Sequence, residues 1–192
     1  MRNQKMKVMS ECAIMLALAF ALSCAKLYEM PLGGSVTVAS MLPIMLISIK
    51  YGYAVGLGTG FCYSLMQCLQ ALASNNVFPY CQNGGTLVLC IAFDYIVPFT
   101  VLGLCCLPLK LRPNGNKELN VYIGVVGVVL LRFLCHFCTG VAIWEQWAPD
   151  GMGKYLYSFL YNGSFLGLDF LICMVLLVAM MRSKEIMKLI NL

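Results

Sequence analysis

The chain has 192 residues, of which 61% are hydrophobic and 11% charged, with a net charge of +5 and a mean hydropathy of +0.84. An average soluble domain carries roughly 25% charged residues, so this composition excludes an ordinary water-soluble enzyme and makes the bilayer the solvent. The positive charge is no nucleic-acid footprint, because the basic residues are split among separate short segments.

A membrane span needs about 20 mostly apolar residues. Six such stretches follow one another, at about 8–26, 36–50, 53–73, 86–108, 119–143 and 156–181. They predict an all-α membrane protein, a six-transmembrane-helix bundle forming one integral membrane domain over 1–192. The first stretch is too long for the apolar part of a cleavable signal, and five more follow it. Its Ala13, Ala17 and Ala21 make a smooth stripe that serves either internal packing or the docking of another membrane protein. The second stretch is short. Pro43 within it and Pro31-Leu32-Gly33-Gly34 before it predict a bent or unwound start. Gly52, Gly56 and Gly60 recur every four residues around the third, and Gly163 and Gly167 repeat the spacing in the sixth, which predicts close helix packing. Gly56-Leu57-Gly58-Thr59-Gly60 lies inside a span and lacks the strand and turn of a nucleotide loop.

Lys and Arg orient the bundle. Arg2, Lys5, Lys7, Lys50, Lys110, Arg112, Lys117, Arg182, Lys184 and Lys188 fall on one side, ten of the 13 basic residues. The other side holds Lys26 and Lys154, beside Glu29, Glu145 and Asp150. Both termini are therefore expected in the cytoplasm. Of the 11 cysteines, all but Cys81 sit in or beside predicted spans, where a free thiol behaves as a small apolar group. Cys135, His136 and Cys138 do not form a metal site, since neighbouring helix positions diverge and the chain has 1 histidine.

Asp94, Arg132, His136 and Asp169 lie inside apolar stretches, where a charge costs roughly 2.5–3.5 kcal/mol at the centre of a helix and marks a site, a pair or a pathway. At about 1.5 Å per residue, Asp94 sits roughly 12 Å below the outer end of the fourth span and His136 roughly 25 Å above the inner end of the fifth. Tyr157 and Asn162 begin the sixth span and Trp144 ends the fifth, so groups from three spans reach one depth near the outer face. Tyr161, next to Asn162, is expected to face lipid or a neighbouring helix. A carboxylate accepts from an amino-substituted ring, while Asn162, Tyr157 and His136 can donate or accept. Trp144 offers a π face to a cation or a heteroaromatic ring. Such a set suits a small, flat, polar or cationic molecule. Arg132, His136 and Gly140 share one helix face. Arg132 is available to neutralise Asp94 or Asp169; estimated heights favour Asp94, and Asp169 with Arg132 reads as a structural pair rather than a ligand contact.

The run His136-Phe137-Cys138-Thr139-Gly140-Val141-Ala142-Ile143-Trp144, followed by Tyr157-Ser158-Phe159-Leu160-Tyr161-Asn162-Gly163, resembles the thiamine-specific substrate-binding subunits, or S components, of energy-coupling factor transporters. Gly33-Gly34-Ser35 with Met41-Leu42-Pro43-Ile44, and Phe93-Asp94-Tyr95, extend the resemblance through most of the chain. It implies a six-helix bundle that binds thiamine near the outer face and docks on a shared transmembrane coupling subunit with two cytoplasmic ATPases. It implies ligand contacts from Asp94, Tyr95, His136, Tyr157 and Asn162, stacking by Trp144, and space beside the ligand at Gly140. The alanine stripe matches the family's docking surface. No cofactor and no metal are implied, and the absence of a Walker motif fits a subunit powered by others. The resemblance departs in the first loop, where Tyr28 and Glu29 stand early and Val38 occupies the expected acidic place. Asp94 is also one methylene shorter than the Glu of some relatives, and Asp169 receives no role.

Two other classes are weighed against a solute-binding transport subunit for thiamine, a related pyrimidine or another vitamin. A self-sufficient proton-coupled transporter would use Asp94, Arg132, His136 and Asp169 as a relay, though no inverted repeat is evident. An intramembrane enzyme lacks a Gly-x-Ser nucleophile element or a His-Glu-x-x-His helix.

Overall fold

A computed structural model describes residues 2–75, 77–190 and 192, and for Arg2 the backbone alone. About 80% of the chain is helical. Helix α1 spans Arg2–Cys24, α2 Leu42–Tyr51 and α3 Tyr53–Ser74. Between α1 and α2 the chain makes a small antiparallel hairpin, β1 (Lys26–Glu29) and β2 (Ser35–Thr37), with Tyr28 opposite Val36 and Glu29 opposite Ser35. This short hairpin interrupts a chain that is otherwise helical, in keeping with the all-α reading. Its turn is tight: Leu32 has φ 65° and Gly33 φ 93°, the left-handed region that glycine enters freely and leucine only when the surroundings impose it.

The fourth apolar stretch is not one regular helix. It runs as α4 (Gly84–Cys90), a π-helical turn at Ile91–Ile96, α5 (Val97–Thr100), a 3₁₀ turn at Val101–Leu104 and α6 (Leu107–Leu111). Proline explains the break. Pro98 has no N–H to offer the carbonyl of Asp94, and Val97 N–H reaches the carbonyl of Ala92 instead, five residues back. Helices α7 (Lys117–Ala142) and α8 (Lys154–Met181) are long and regular, and α9 (Lys184–Leu189) is a short tail.

Among the described residues four segments are long and apolar enough to cross a membrane, 3–24, 84–111, 117–142 and 154–181, and neither of the predicted spans 36–50 and 53–73 is one of them. The predicted span 36–50 is corrected: β2 and a turn take its first residues, and the ten-residue α2 rises only about 15 Å against a hydrocarbon core of about 30 Å. Every residue from 42 to 49 is nonetheless buried, so α2 is a central peg with α1, α3 and the 3₁₀ turn packed around it. The outer surface is apolar, with Leu69 and Leu72 on α3, Leu130 and Leu134 on α7 and Leu171 and Val175 on α8 exposed. The buried set includes Ser48, Ser64, Asn120, Arg132, His136, Thr139, Asn162 and Asp169. Apolar outside and polar inside is what lipid selects.

Small residues set the closest contacts. A Cβ on Gly103 would stand 2.2 Å from the backbone of Gly56 and Leu57, and one on Gly56 2.6 Å from the Gly103 carbonyl. The expected packing role therefore holds for Gly56 and Gly60. It fails for Gly163 and Gly167: a Cβ at Gly163 would reach only Phe133, at 3.9 Å, and one at Gly167 nothing within 4 Å. Those two glycines floor a shallow apolar groove between α7 and α8. The cysteine reading also shifts. Cys81 is half-buried, while Cys24, Cys62 and Cys138 are exposed on the apolar surface. No cluster of metal-ligating side chains occurs among the described residues.

Candidate functional site

The cavity lies at the end of the bundle that carries the first loop (Leu32, Gly33, Gly34 and Ser35), Val77 and Trp144. Its lining includes Asp94, Tyr95, His136, Trp144, Tyr157 and Asn162. Its volume is about 90 Å³, below the roughly 300–1,000 Å³ of typical small-molecule sites.

Asp94 stands on the π-helical turn, where the extra residue per turn redirects side chains and where such turns often mark functional sites. Its carboxylate is turned toward α7. His136 Nδ1 lies 3.0 Å from Asp94 Oδ1, the Thr139 hydroxyl donates to that same oxygen, and Trp144 Nε1 donates to Oδ2 at 3.0 Å. Arg132 Nε donates to His136 Nε2 at 3.4 Å, which makes Nε2 the acceptor and leaves the imidazole proton on Nδ1, facing the carboxylate. The histidine is thereby neutral.

Arg132 is buried one turn below His136. Its guanidinium lies 3.6 Å from Asp169 Oδ2 and 4.5 Å over the Phe99 ring. This resolves the alternatives left by sequence: Arg132 pairs directly with Asp169 and reaches Asp94 only through His136, so the height estimate is corrected. Asp169 is 1% exposed. Its other oxygen accepts from the Thr37 backbone at 3.1 Å and the Thr37 hydroxyl at 2.8 Å, tying β2 to α8. Asp94, Asp169 and Arg132 sum to one negative charge around a neutral His136, in surroundings where charge is poorly screened. Such a cavity favours a monocation.

Asn162 and Gly140 join α8 to α7. Asn162 Nδ2 donates to the carbonyls of His136 at 3.1 Å and Ser158 at 2.9 Å, and Ser158 Oγ donates to the Phe137 carbonyl at 2.8 Å. A Cβ on Gly140 would lie 2.1 Å from Ser158 Oγ. Gly140 therefore makes room for the neighbouring helix and does not line the cavity, which corrects its expected place beside the ligand.

The first loop roofs the site. Leu32, Gly33, Gly34 and Ser35 line it, and Tyr161 holds them: its hydroxyl donates to the Pro31 carbonyl and accepts from Gly34 N–H at 3.1 Å. Gly34 is buried, and a Cβ there would stand 2.9 Å from Phe165 and the Tyr161 hydroxyl. The placement of Tyr161 toward lipid or a neighbouring helix is thus corrected. The signal was present in the spacing, since Tyr157, Tyr161 and Phe165 repeat every four residues on one face of α8. Gln67, Phe99 and Val77 were also missed as lining residues. Glu29 forms a 2.7 Å ion pair with Lys26 and borders an outer vestibule with Tyr80 and Trp147 rather than the inner cavity.

Ala13, Ala17 and Ala21 are all exposed along α1. Internal packing of the stripe is excluded, and a flat lane of small side chains remains on the outer surface of the bundle.

Comparisons agree with this picture. Residues 9–189 match the model of the thiamine transporter protein (Thia_YuaJ) family. The chain is 34% identical over 176 residues to the thiamine transporter ThiT of Bacillus subtilis, covering 87% of this chain and 86% of that protein. It is 21% identical over 170 residues to the thiamine transporter ThiT of Lacticaseibacillus paracasei, covering 84% and 80%. In three dimensions it superposes on a solved structure of ThiT from Listeria monocytogenes with a TM-score of 0.72 at 20% identity, covering 96% of this chain and 98% of that one.

Proposed function

Since the chain belongs to the thiamine transporter protein family, and is a multi-pass membrane protein of a transporter family rather than an enzyme, we propose that it is the substrate-binding S component of an energy-coupling factor importer. It captures thiamine in the cavity of Asp94, His136, Trp144, Tyr157 and Asn162. The observation that carries this reading is the carboxylate of Asp94, oriented by His136, Thr139 and Trp144 at the wall of a cavity whose other charged side chain, Arg132, is paired with the buried Asp169 behind it. An oriented carboxylate suits an aminopyrimidine, and a negative cavity with an aromatic wall suits a thiazolium cation.

The cavity end faces outward in this reading, because the basic residues gather at the opposite end and place both termini in the cytoplasm. Helices α2 and α3 complete a six-helix count with α2 buried as a short central element. The exposed alanine stripe of α1 is the contact for a transmembrane coupling subunit, which two cytoplasmic ATPases drive. A proton relay through Asp169, Arg132, His136 and Asp94 is disfavoured by its middle member, since a guanidinium holds its proton throughout the physiological range.

The test is binding by the isolated protein without ATP. Titration with thiamine should quench tryptophan fluorescence, most clearly in a Trp147→Phe background that leaves Trp144 as the reporter. Binding of an unrelated solute with no response to thiamine would overturn the assignment. Uptake by purified protein alone, in vesicles under a proton gradient, would favour the secondary transporter.

A further inference from the structure

Helix α3 sends one amide into the cavity. Gln67 is among the lining residues, and its Nε2 is shut away from solvent with no hydrogen-bond partner among the described residues. A buried N–H without an acceptor forfeits its hydration for nothing, which folded proteins rarely tolerate. Asn120 Oδ1 shares this condition, but it lies twelve positions before Arg132, roughly 18 Å along α7, and its own amide nitrogen is bound to the Arg112 carbonyl. Gln67 differs in facing a space built to receive a ligand.

Its position within that space is defined. Gln67 is one turn beyond Tyr63 on α3, and the Tyr63 ring meets Phe99 edge-on at 5.3 Å. Phe99 and Tyr95 line the cavity beside it. The Asp94 carboxylate instead accepts from Thr139 on α7 and from Trp144 just after it, and faces His136 on α7. A ligand that sets its amino-substituted ring against Asp94 therefore turns its far end toward α3.

We propose that Gln67 is a specificity residue that recognises the alcohol at the far end of the ligand, an inference that rests on the thiamine reading above. An alcohol has one donor and two lone pairs, and a carboxamide offers both complements. A phosphate ester at the same place would meet a neutral amide in a cavity of net negative charge. Arg132, the one Lys or Arg in the cavity lining among the described residues, is already engaged by Asp169, His136 and Phe99. Gln67 thus favours the free alcohol over its phosphate esters.

The experiment compares thiamine with an analogue whose hydroxyethyl arm is replaced by ethyl, titrated against the parent, Gln67→Leu and the near-isosteric Gln67→Met. The parent should bind the ethyl analogue about tenfold more weakly, since that analogue leaves the amide unpaired. Both variants should bind the two ligands equally, and the ethyl analogue no more weakly than the parent does. A parent that does not discriminate, variants that keep the parental discrimination, or variants that bind neither ligand would each overturn the role of Gln67. Failure of the parent to bind thiamine at all would instead overturn the functional assignment on which it rests.

Discussion

Replacing Asp94 by Asn tests whether this carboxylate is a ligand contact or only a helper of its neighbours. The substitution keeps the shape, removes the charge and turns half of an acceptor-only group into a donor. In the parent, one oxygen accepts from His136 and Thr139 and the other accepts from Trp144 Nε1 at 3.0 Å. If the new carbonyl oxygen keeps His136 and Thr139, the new NH₂ faces the Trp144 N–H, donor against donor. Leaving that N–H unsatisfied costs about 1–3 kcal/mol of stability. The ligand loses separately, because an aminopyrimidine gives up a charge-assisted bond worth about 1.5–3 kcal/mol and the cavity no longer carries a net negative charge. Affinity for thiamine should fall at least tenfold, more than the loss in thermal stability alone would explain. Fluorescence titration in the Trp147→Phe background gives the affinity, and a thermal melt in detergent gives the stability. A variant that folds and binds thiamine as tightly as the parent would refute the reasoning and reduce Asp94 to an acceptor for Trp144 and His136.

Asp169→Ala should destabilise the fold by about 3–5 kcal/mol, because it strands Arg132 as a buried unpaired charge; a double replacement of Arg132 by Met and Asp169 by Leu should melt higher than the single variant, and the reverse order would show that the pair carries no such cost. Gly140→Ala should lower stability by about 1–3 kcal/mol through overpacking, with recovery when Ser158→Gly is added, since the Ser158 side chain is what the new Cβ would meet; absence of recovery would place the strain elsewhere. Tyr161→Phe removes the hydroxyl that holds Pro31 and Gly34, so thiamine should dissociate severalfold faster in a stopped-flow chase, and an unchanged off-rate would mean the roof is held without it. Bulky residues at Ala13, Ala17 and Ala21, all exposed, should abolish cellular uptake while the purified protein keeps its affinity; loss of both together would contradict an outward-facing stripe.

Much of this molecule is legible in local chemistry. Mean hydropathy and the run lengths of apolar residues assign the solvent, because a polar backbone in hydrocarbon must close its hydrogen bonds within helices or barrels. Intramembrane polar residues identify the site, because a charge in lipid persists only with a partner or a task. Asp94, Tyr95, His136, Trp144, Tyr157 and Asn162 all line one cavity for that reason. The fourfold spacing of Tyr157, Tyr161 and Phe165 on one helix face could also have been read.

The tertiary structure decided what depends on direction and contact. Whether Arg132 meets Asp94 or Asp169 turns on helix rotation and a fraction of a turn in depth, which residue counting cannot resolve. Gly140 and Gly163 look alike in sequence, yet one stands against Ser158 and the other beside an open groove, because what a missing side chain admits belongs to the neighbouring helix. The unwound fourth segment follows from Pro98, but the direction in which its π turn points Asp94 does not. The orphaned amide of Gln67 is visible only in three dimensions, since a lone polar residue in an apolar run acquires its meaning from what the fold places, or leaves unplaced, around it.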